Sequence, residues 1–303
     1  PTDEEYRHRH AGVTAHNRWL VDWCNEYPER RAGVGQIFLN DVDDAIADVR
    51  WIKENGLRGG ILLPNIAPDV KWVKPLYDRC YDPLWQVLQD LEVPINIHSG
   101  SGNPDYGPYP VSMLLYINEV PFYTERPLVQ LILSGVFERF PRLKVVLTEA
   151  GCAWVPPLLE RLDTNIRSIR DTGATGEIRY GADHILPKDA TEYFHQNVWM
   201  GVSQPRQADA DARHIIGLDK FMWGSDYPHD EGTYPYTREN LRARFSAAPE
   251  AEMRKILAGN AAEMYGFDLD ALAPLAARIG PTVEEVARPI ADLPDKSLER
   301  ISG

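Results

Sequence analysis

The chain has 303 residues, 44% hydrophobic and 25% charged, with a formal net charge of −13. This is ordinary globular composition, long enough for one large α/β barrel or two smaller domains. The acidic balance speaks against nucleic acid and anionic membrane surfaces as partners, and no stretch approaches the roughly 20 apolar residues of a membrane span.

Near the amino end, His8 and His10 form an HxH pair, but Glu4, Glu5, Arg7 and Arg9 surround it. With no apolar strand around the pair, the segment reads as solvated rather than as a metal site. Helical spacing begins at 14–26, and GVGQIFL (33–39) has strand length. Asp41 is a good N-cap for a helix with Val42, Ile46, Val49 and Ile52 on its apolar stripe, and Gly56 stops it. LRGGILLP (57–64) is a second short strand. Asp82-Pro83 supplies a cap and a first-position proline for the next helix. VPINIH follows as a strand, and then a long Gly-, Pro- and Tyr-rich loop is expected over 99–125. Loops of that length in compact domains are usually functional or disordered.

A helix over 127–140, the strand KVVLTEAG and a helix over 155–170 come next. HQNVWMGV (195–202) is a weaker strand, 206–217 a short helix, and KFMWGSD the sixth strand. The remainder reads as helices over 237–246 and 249–258 and a tail with Leu269, Leu272 and Leu275. Strands alternating with helices at this rhythm predict parallel pairing with right-handed crossovers. No GxGxxG follows the first strand, and neither a Walker loop nor a GxSxG elbow is present. Cys24, Cys80 and Cys152 are odd in number and far apart, which fits a reducing cytoplasm; Cys152 reads as a small buried hydrophobe.

Three apolar strands end in an ionisable residue: His98 in INIHSGSG, Glu149 in VVLTEAG, and Asp226 in MWGSDYPH. The carboxyl ends of parallel strands are where α/β active sites sit. His98 offers an imidazole to a metal, and Asp226 a carboxylate that is costly to bury unless paired or metal-bound. Asp226 could also take a proton from an attacking water. Glu149 has three open roles: ligand, general base or salt-bridge partner. His229 and Trp154 are candidate substrate contacts, although Trp154, like Trp223, also suits a wall. Tyr106, with Tyr109, Tyr116 and Tyr123, could line a lid over a planar substrate.

These motifs, with GNAAEMYGF (259–267) behind them, resemble the amidohydrolase superfamily, in its amidohydrolase-related branch of aminocarboxymuconate-semialdehyde decarboxylase relatives. The resemblance runs over essentially the whole chain. It implies an α/β fold, a (β/α)8 TIM-like barrel of the metal-dependent hydrolase type holding one divalent metal, zinc with manganese or iron as alternatives. His98 corresponds to the fifth-strand histidine ligand and Asp226 to the eighth-strand aspartate. Glu149 stands where the decarboxylases carry a histidine. The family's first-strand metal motif has no counterpart here, so the barrel is expected to lack its first one or two strands, and full metal occupancy is not expected.

The expected layout is an amino-terminally incomplete barrel over 1–268 and a helical tail over 269–303 packed on it. The expected partners are a small organic substrate and a second copy in a homodimer. The expected activity is metal-assisted hydrolysis of an ester, amide or lactone, with Asp226 and Glu149 as catalytic groups, because Glu149 replaces the decarboxylase histidine. The alternatives are non-oxidative decarboxylation by a carboxy-lyase of the same family, and a metal-free binding or structural paralogue.

Overall fold

A computed structural model describes residues 2–294. They form two compact units: residues 2–150 with Trp154–Trp199, and Gly151–Ala153 with residues 200–294.

The first unit opens with helix α1 (Asp3–Asn25). It starts eleven residues before the expected 14, because Thr2 and Glu5 form a reciprocal capping box in a segment with no apolar stripe. The HxH pair therefore lies on a helix, and His10 Nε2 sits 2.9 Å from Asp48. Strands β1 (Val34–Gln36), β2 (Gly60–Leu62), β3 (Ile95–His98) and β4 (Val145–Thr148) pair in parallel in that order. Ile61, Ile95, Ile97, Val145 and Leu147 are fully buried, as expected of strands covered on both faces. The buried Asn96 ties β3 to β2 by donating to the carbonyls of Gly59 (2.7 Å) and Ile61 (3.1 Å).

Helix α2 (Val42–Glu54) begins at Asp41, whose carboxylate accepts from the amides of Asp43 and Asp44. Helix α3 (Asp82–Asp90) differs from expectation at its start. Its cap is Tyr81, and Asp82 instead pairs with Arg79 and Arg139. The expected 99–125 loop is cut short by α4 (Ser112–Leu133), a 22-residue helix that contains Pro121 and Pro127. A proline inside a helix forfeits a hydrogen bond to the carbonyl four residues back; here the helix continues through both. Gly135, in the left-handed region at φ 69°, separates it from the short α5 (Val136–Arg139), so 127–140 is not one helix.

Helix α6 (Val155–Thr172) is followed by a two-residue-per-strand hairpin, β5 (Ala174–Thr175) and β6 (Ile178–Arg179). Helix α7 (Ala190–Asn197) comes next, started by a capping box between Asp189 and Glu192. Neither the hairpin nor α7 was expected.

In the second unit, β7 (Val198–Ser203, in this unit from Met200) pairs in parallel with β8 (Phe221–Gly224), from Met200 opposite Phe221 to Ser203 opposite Gly224. Helices α8 (Gln207–Ile216), α9 (Thr237–Phe245), α10 (Glu250–Arg254), α11 (Asn260–Tyr265), α12 (Leu269–Ile279) and α13 (Val283–Val286) complete it. The GNAAEMYGF motif has a packing role. The buried Asn260 amide donates to the carbonyls of Leu218 and Phe221, both at 2.6 Å, and so ties α11 to the entry of β8. Arg238 of α9 bonds Glu285 and the Ile279 carbonyl. Residues 295–303 of the expected tail lie outside the described residues. No helix among the described residues is long and apolar enough to cross a membrane.

Candidate functional site

In the first unit, β3 and β4 bring His98 and Glu149 together. Their register sets His98 opposite Thr148, so Glu149 is the next residue beyond the pair. His98 Nε2 lies 2.6 Å from Glu149 Oε2, with side chains 44% and 19% exposed. His98 Nδ1 lies 2.6 Å from the Ser99 carbonyl oxygen. A carbonyl can only accept, so Nδ1 carries a proton and Nε2 is the nitrogen turned toward the carboxylate. This is the arrangement in which a ligating histidine is oriented by its other nitrogen.

The loop after His98 is pinned locally. Ser101 Oγ donates to the His98 carbonyl at 3.1 Å, and the Tyr116 hydroxyl donates to that of Gly100 at 3.0 Å. Tyr106 donates to Glu119 at 2.6 Å, and desolvation followed by this bond pushes its hydroxyl above the ordinary value, so it stays protonated. The Trp154 indole nitrogen is taken by the Ala150 carbonyl at 2.9 Å.

In the second unit, Asp226, His229 and Glu231 each offer one ligand atom, all within 4.8 Å of one another. The Asp226 side chain is only 8% exposed, against 52% for His229, and its Oδ1 is 3.1 Å from His229 Nδ1. Its Oδ2 accepts from Gln204 Nε2 at 2.6 Å. The loop carrying these groups is closed by Thr233 N donating to the Ser225 carbonyl at 2.8 Å. Gly232 allows that closure. A Cβ there would lie 2.7 Å from the Asp226 carbonyl oxygen and 2.9 Å from those of His229 and Ser225.

Asp209 is a buried carboxylate of another kind. It accepts from the amides of Cys152 (2.7 Å), Ala153 (2.9 Å) and Arg206 (2.9 Å) and so anchors the Gly151–Ala153 segment. Burial, reinforced by Asp209, pushes the Cys152 thiol far above its usual range, which removes it as a nucleophile.

The backbone marks the strand ends. Among the described residues, four non-glycine residues have positive φ: Glu92, Glu149 (62°), Gln204 (47°) and Asp226 (61°). The last three follow directly, or within two residues, the ends of β4, β7 and β8. A left-handed backbone costs an L-residue roughly 1–2 kcal/mol, and such strain gathers at functional sites. Sequence reasoning did not single out Gln204 or Glu231, and it read His229 as a candidate substrate contact. The Asp-x-x-His-x-Glu spacing from 226 to 231 was the available signal for the last two.

The donors suit a divalent metal. Imidazole nitrogen and carboxylate oxygen serve zinc, manganese and iron, and His98, Glu149, Asp226, His229 and Glu231 are all of these types.

A model of the amidohydrolase family matches residues 2–267. The chain belongs to the amidohydrolase family of enzymes. It is 27% identical to a gamma-resorcylate decarboxylase of Polaromonas sp. over 258 residues, 82% of this chain and 74% of that protein. The crystal structure of 5-carboxyvanillate decarboxylase from Sphingomonas paucimobilis superposes with a TM-score of 0.67 at 24% identity, covering 83% of this chain and 71% of that one. A dihydroxybenzoic acid decarboxylase from Polaromonas sp. JS666, with bound manganese and 2-nitroresorcinol, gives 0.65 at 21% identity, covering 85% and 75%. The fold of this amidohydrolase chain is thus the α/β barrel type of these enzymes.

The hydrolase expectation is corrected by the relative at 27% identity, which is a decarboxylase. It had rested on Glu149 replacing a histidine. The Glu149 carboxylate stands against His98, so the strand tip keeps an ionisable group beside the imidazole, and the replacement is no argument against carboxylate loss.

Proposed function

We propose that this chain is a metal-dependent, non-oxidative decarboxylase of a hydroxylated aromatic carboxylate. The observation that carries the reading is the match to a gamma-resorcylate decarboxylase along 82% of the chain. His98 and Asp226 are assigned as metal ligands on their family motifs, with the Ser99 carbonyl orienting His98 through Nδ1 and Glu149 as a carboxylate beside its ligating nitrogen. The ion is divalent: manganese is what the Polaromonas structure holds, and zinc is what the resemblance implies. When bound, it supplies positive charge that orients the substrate's carboxylate and phenolic oxygens.

The chain's own groups then have these tasks. Asp226 handles the proton that must reach the ring carbon bearing the carboxylate. As that C–H bond forms, the C–C bond to the carboxylate breaks, its electron pair restores the ring, and CO2 leaves. His229, half exposed and 3.1 Å from Asp226 Oδ1, connects that carboxylate to solvent protons. Tyr106 and Trp154, whose polar atoms are already bonded, are proposed to offer ring faces to a planar substrate. The three free cysteines are consistent with a cytoplasmic enzyme.

The test is CO2 release from 2,6-dihydroxybenzoate and 5-carboxyvanillate by protein stripped with a chelator and reloaded with Mn2+ or Zn2+. Metal-dependent release supports the reading. A protein that holds one equivalent of metal and releases no CO2 from hydroxylated aromatic carboxylates overturns it.

A further inference from the structure

Gln204 stands immediately after β7 in a backbone conformation that suits glycine better, at φ 47°. Its amide nitrogen donates to the Gly224 carbonyl at 3.3 Å, a bond that glycine at this position would retain. Glycine would also relieve the backbone strain. What glutamine adds is its side chain, and Nε2 of that side chain donates to Asp226 Oδ2 at 2.6 Å.

The partner it holds needs holding. Asp226 is itself left-handed at φ 61°, and its side chain is nearly buried. Its Oδ1 faces His229 Nδ1. A carboxylate with one oxygen tied by a fixed donor loses its freedom to rotate, and its second oxygen keeps one direction. The donor is neutral, so it orients the carboxylate without cancelling its charge. A lysine or arginine in the same place would compete with a cation for it.

We propose that Gln204 is a positioning residue for Asp226, retained against backbone strain so that its amide fixes the carboxylate for metal binding. The assignment rests on Asp226 being a metal ligand. Gln204 acts through Asp226, by holding one oxygen of its carboxylate.

Two variants separate side chain from backbone. Gln204→Gly removes the amide and the strain, whereas Gln204→Met removes the amide and keeps the bulk and the strain. Mn2+ affinity of chelator-stripped protein is measured by calorimetry, and stability by thermal melting. Both variants are expected to bind Mn2+ at least tenfold more weakly than wild type, while Gln204→Gly melts at or above the wild-type temperature. A merely structural role would instead lower stability and affinity together in Gln204→Gly. That result, or wild-type affinity in both variants, overturns the proposal.

A metal-free readout keeps the two readings apart. In stripped protein the Gln204 side-chain amide protons, assigned by their absence in Gln204→Met, should exchange slowly and lose that protection in Asp226→Ala. If wild type binds no Mn2+, the metal reading fails, and this exchange alone decides whether Gln204 fixes Asp226. Unprotected amide protons in wild type overturn the positioning role.

Discussion

His98 turns one ring nitrogen to Glu149 and commits the other to the chain itself: Nε2 lies 2.6 Å from Glu149 Oε2, and Nδ1 lies 2.6 Å from the Ser99 carbonyl. The second contact fixes which nitrogen is free to bind a cation, and the first sets a carboxylate beside it. His98→Asn should leave the protein without stoichiometric metal after dialysis. Glu149→Gln keeps the shape and removes a negative charge 2.6 Å from the ligating nitrogen, and should weaken the binding of a divalent cation measurably. Metal content and CO2 release measured on both variants check this. Wild-type metal content in His98→Asn would remove His98 from the ligand set.

The buried Asp209 has a structural task and should show it. Its carboxylate satisfies the amides of Cys152, Ala153 and Arg206. Gly151 leaves room for it, since a Cβ there would lie 2.8 Å from Oδ1. Asp209→Ala removes a residue that is only 5% exposed and leaves three amide donors short of that partner. The Cys152 amide is the buried one of the three, and a buried unsatisfied donor costs about 1–3 kcal/mol, so a loss in that range is expected in urea unfolding. A loss below 1 kcal/mol would mean that water replaces the carboxylate freely.

Gly232 gives a second steric test. A methyl group there meets three carbonyl oxygens of the loop bearing Asp226 and His229 at 2.7–2.9 Å. Backbone atoms cannot swing aside as a flexible side chain can, so Gly232→Ala must move the loop. The expected stability loss is about 1–3 kcal/mol, the range for overpacking, accompanied by weaker Mn2+ binding. Unchanged metal affinity with lowered stability would show that the loop's fold and its ligand geometry are separable.

The parts of this chain legible from sequence are those where burial leaves a continuous trace. Parallel strands covered on both faces read as apolar runs, and INIH and VVLT appear so in the structure, with His98 and Glu149 at their ends. Helix α2 was legible because Asp41 and a spaced apolar stripe agree. The start of α1 was hidden because only Thr2 and Glu5 mark it, and the start of α4 because the Gly-, Pro- and Tyr-rich stretch before it continues into the helix as far as Pro121. The site divides the same way. An ionisable residue at a strand tip stands out against its apolar run. Gln204 leaves no such trace, because its role follows from the β7–β8 register and a positive φ that no periodicity encodes. Decarboxylation was ranked second to hydrolysis over a single replaced residue, although Glu149 keeps an ionisable group beside the imidazole at that tip.

Asp189 provides a pH test away from the site. It accepts from Arg167 Nε at 2.7 Å and from Arg170 at 3.0 Å, and it begins α7. The Arg167 hydrogen bond, helped by Arg170, holds its carboxyl below the ordinary carboxylate value. A carboxylate with a depressed folded-state pKa binds its proton more readily when unfolded. Its contribution is therefore present above the unfolded value of about 4 and is lost as pH falls through the lower folded value. Asn is as good an N-cap as Asp, so Asp189→Asn removes the charge while keeping the cap. The variant should show a lower urea midpoint than wild type at pH 7, and the gap should hold down to about pH 4 and narrow as pH falls further. A gap that stays constant across this range would assign the effect to the cap geometry rather than to the Arg167 and Arg170 pairing.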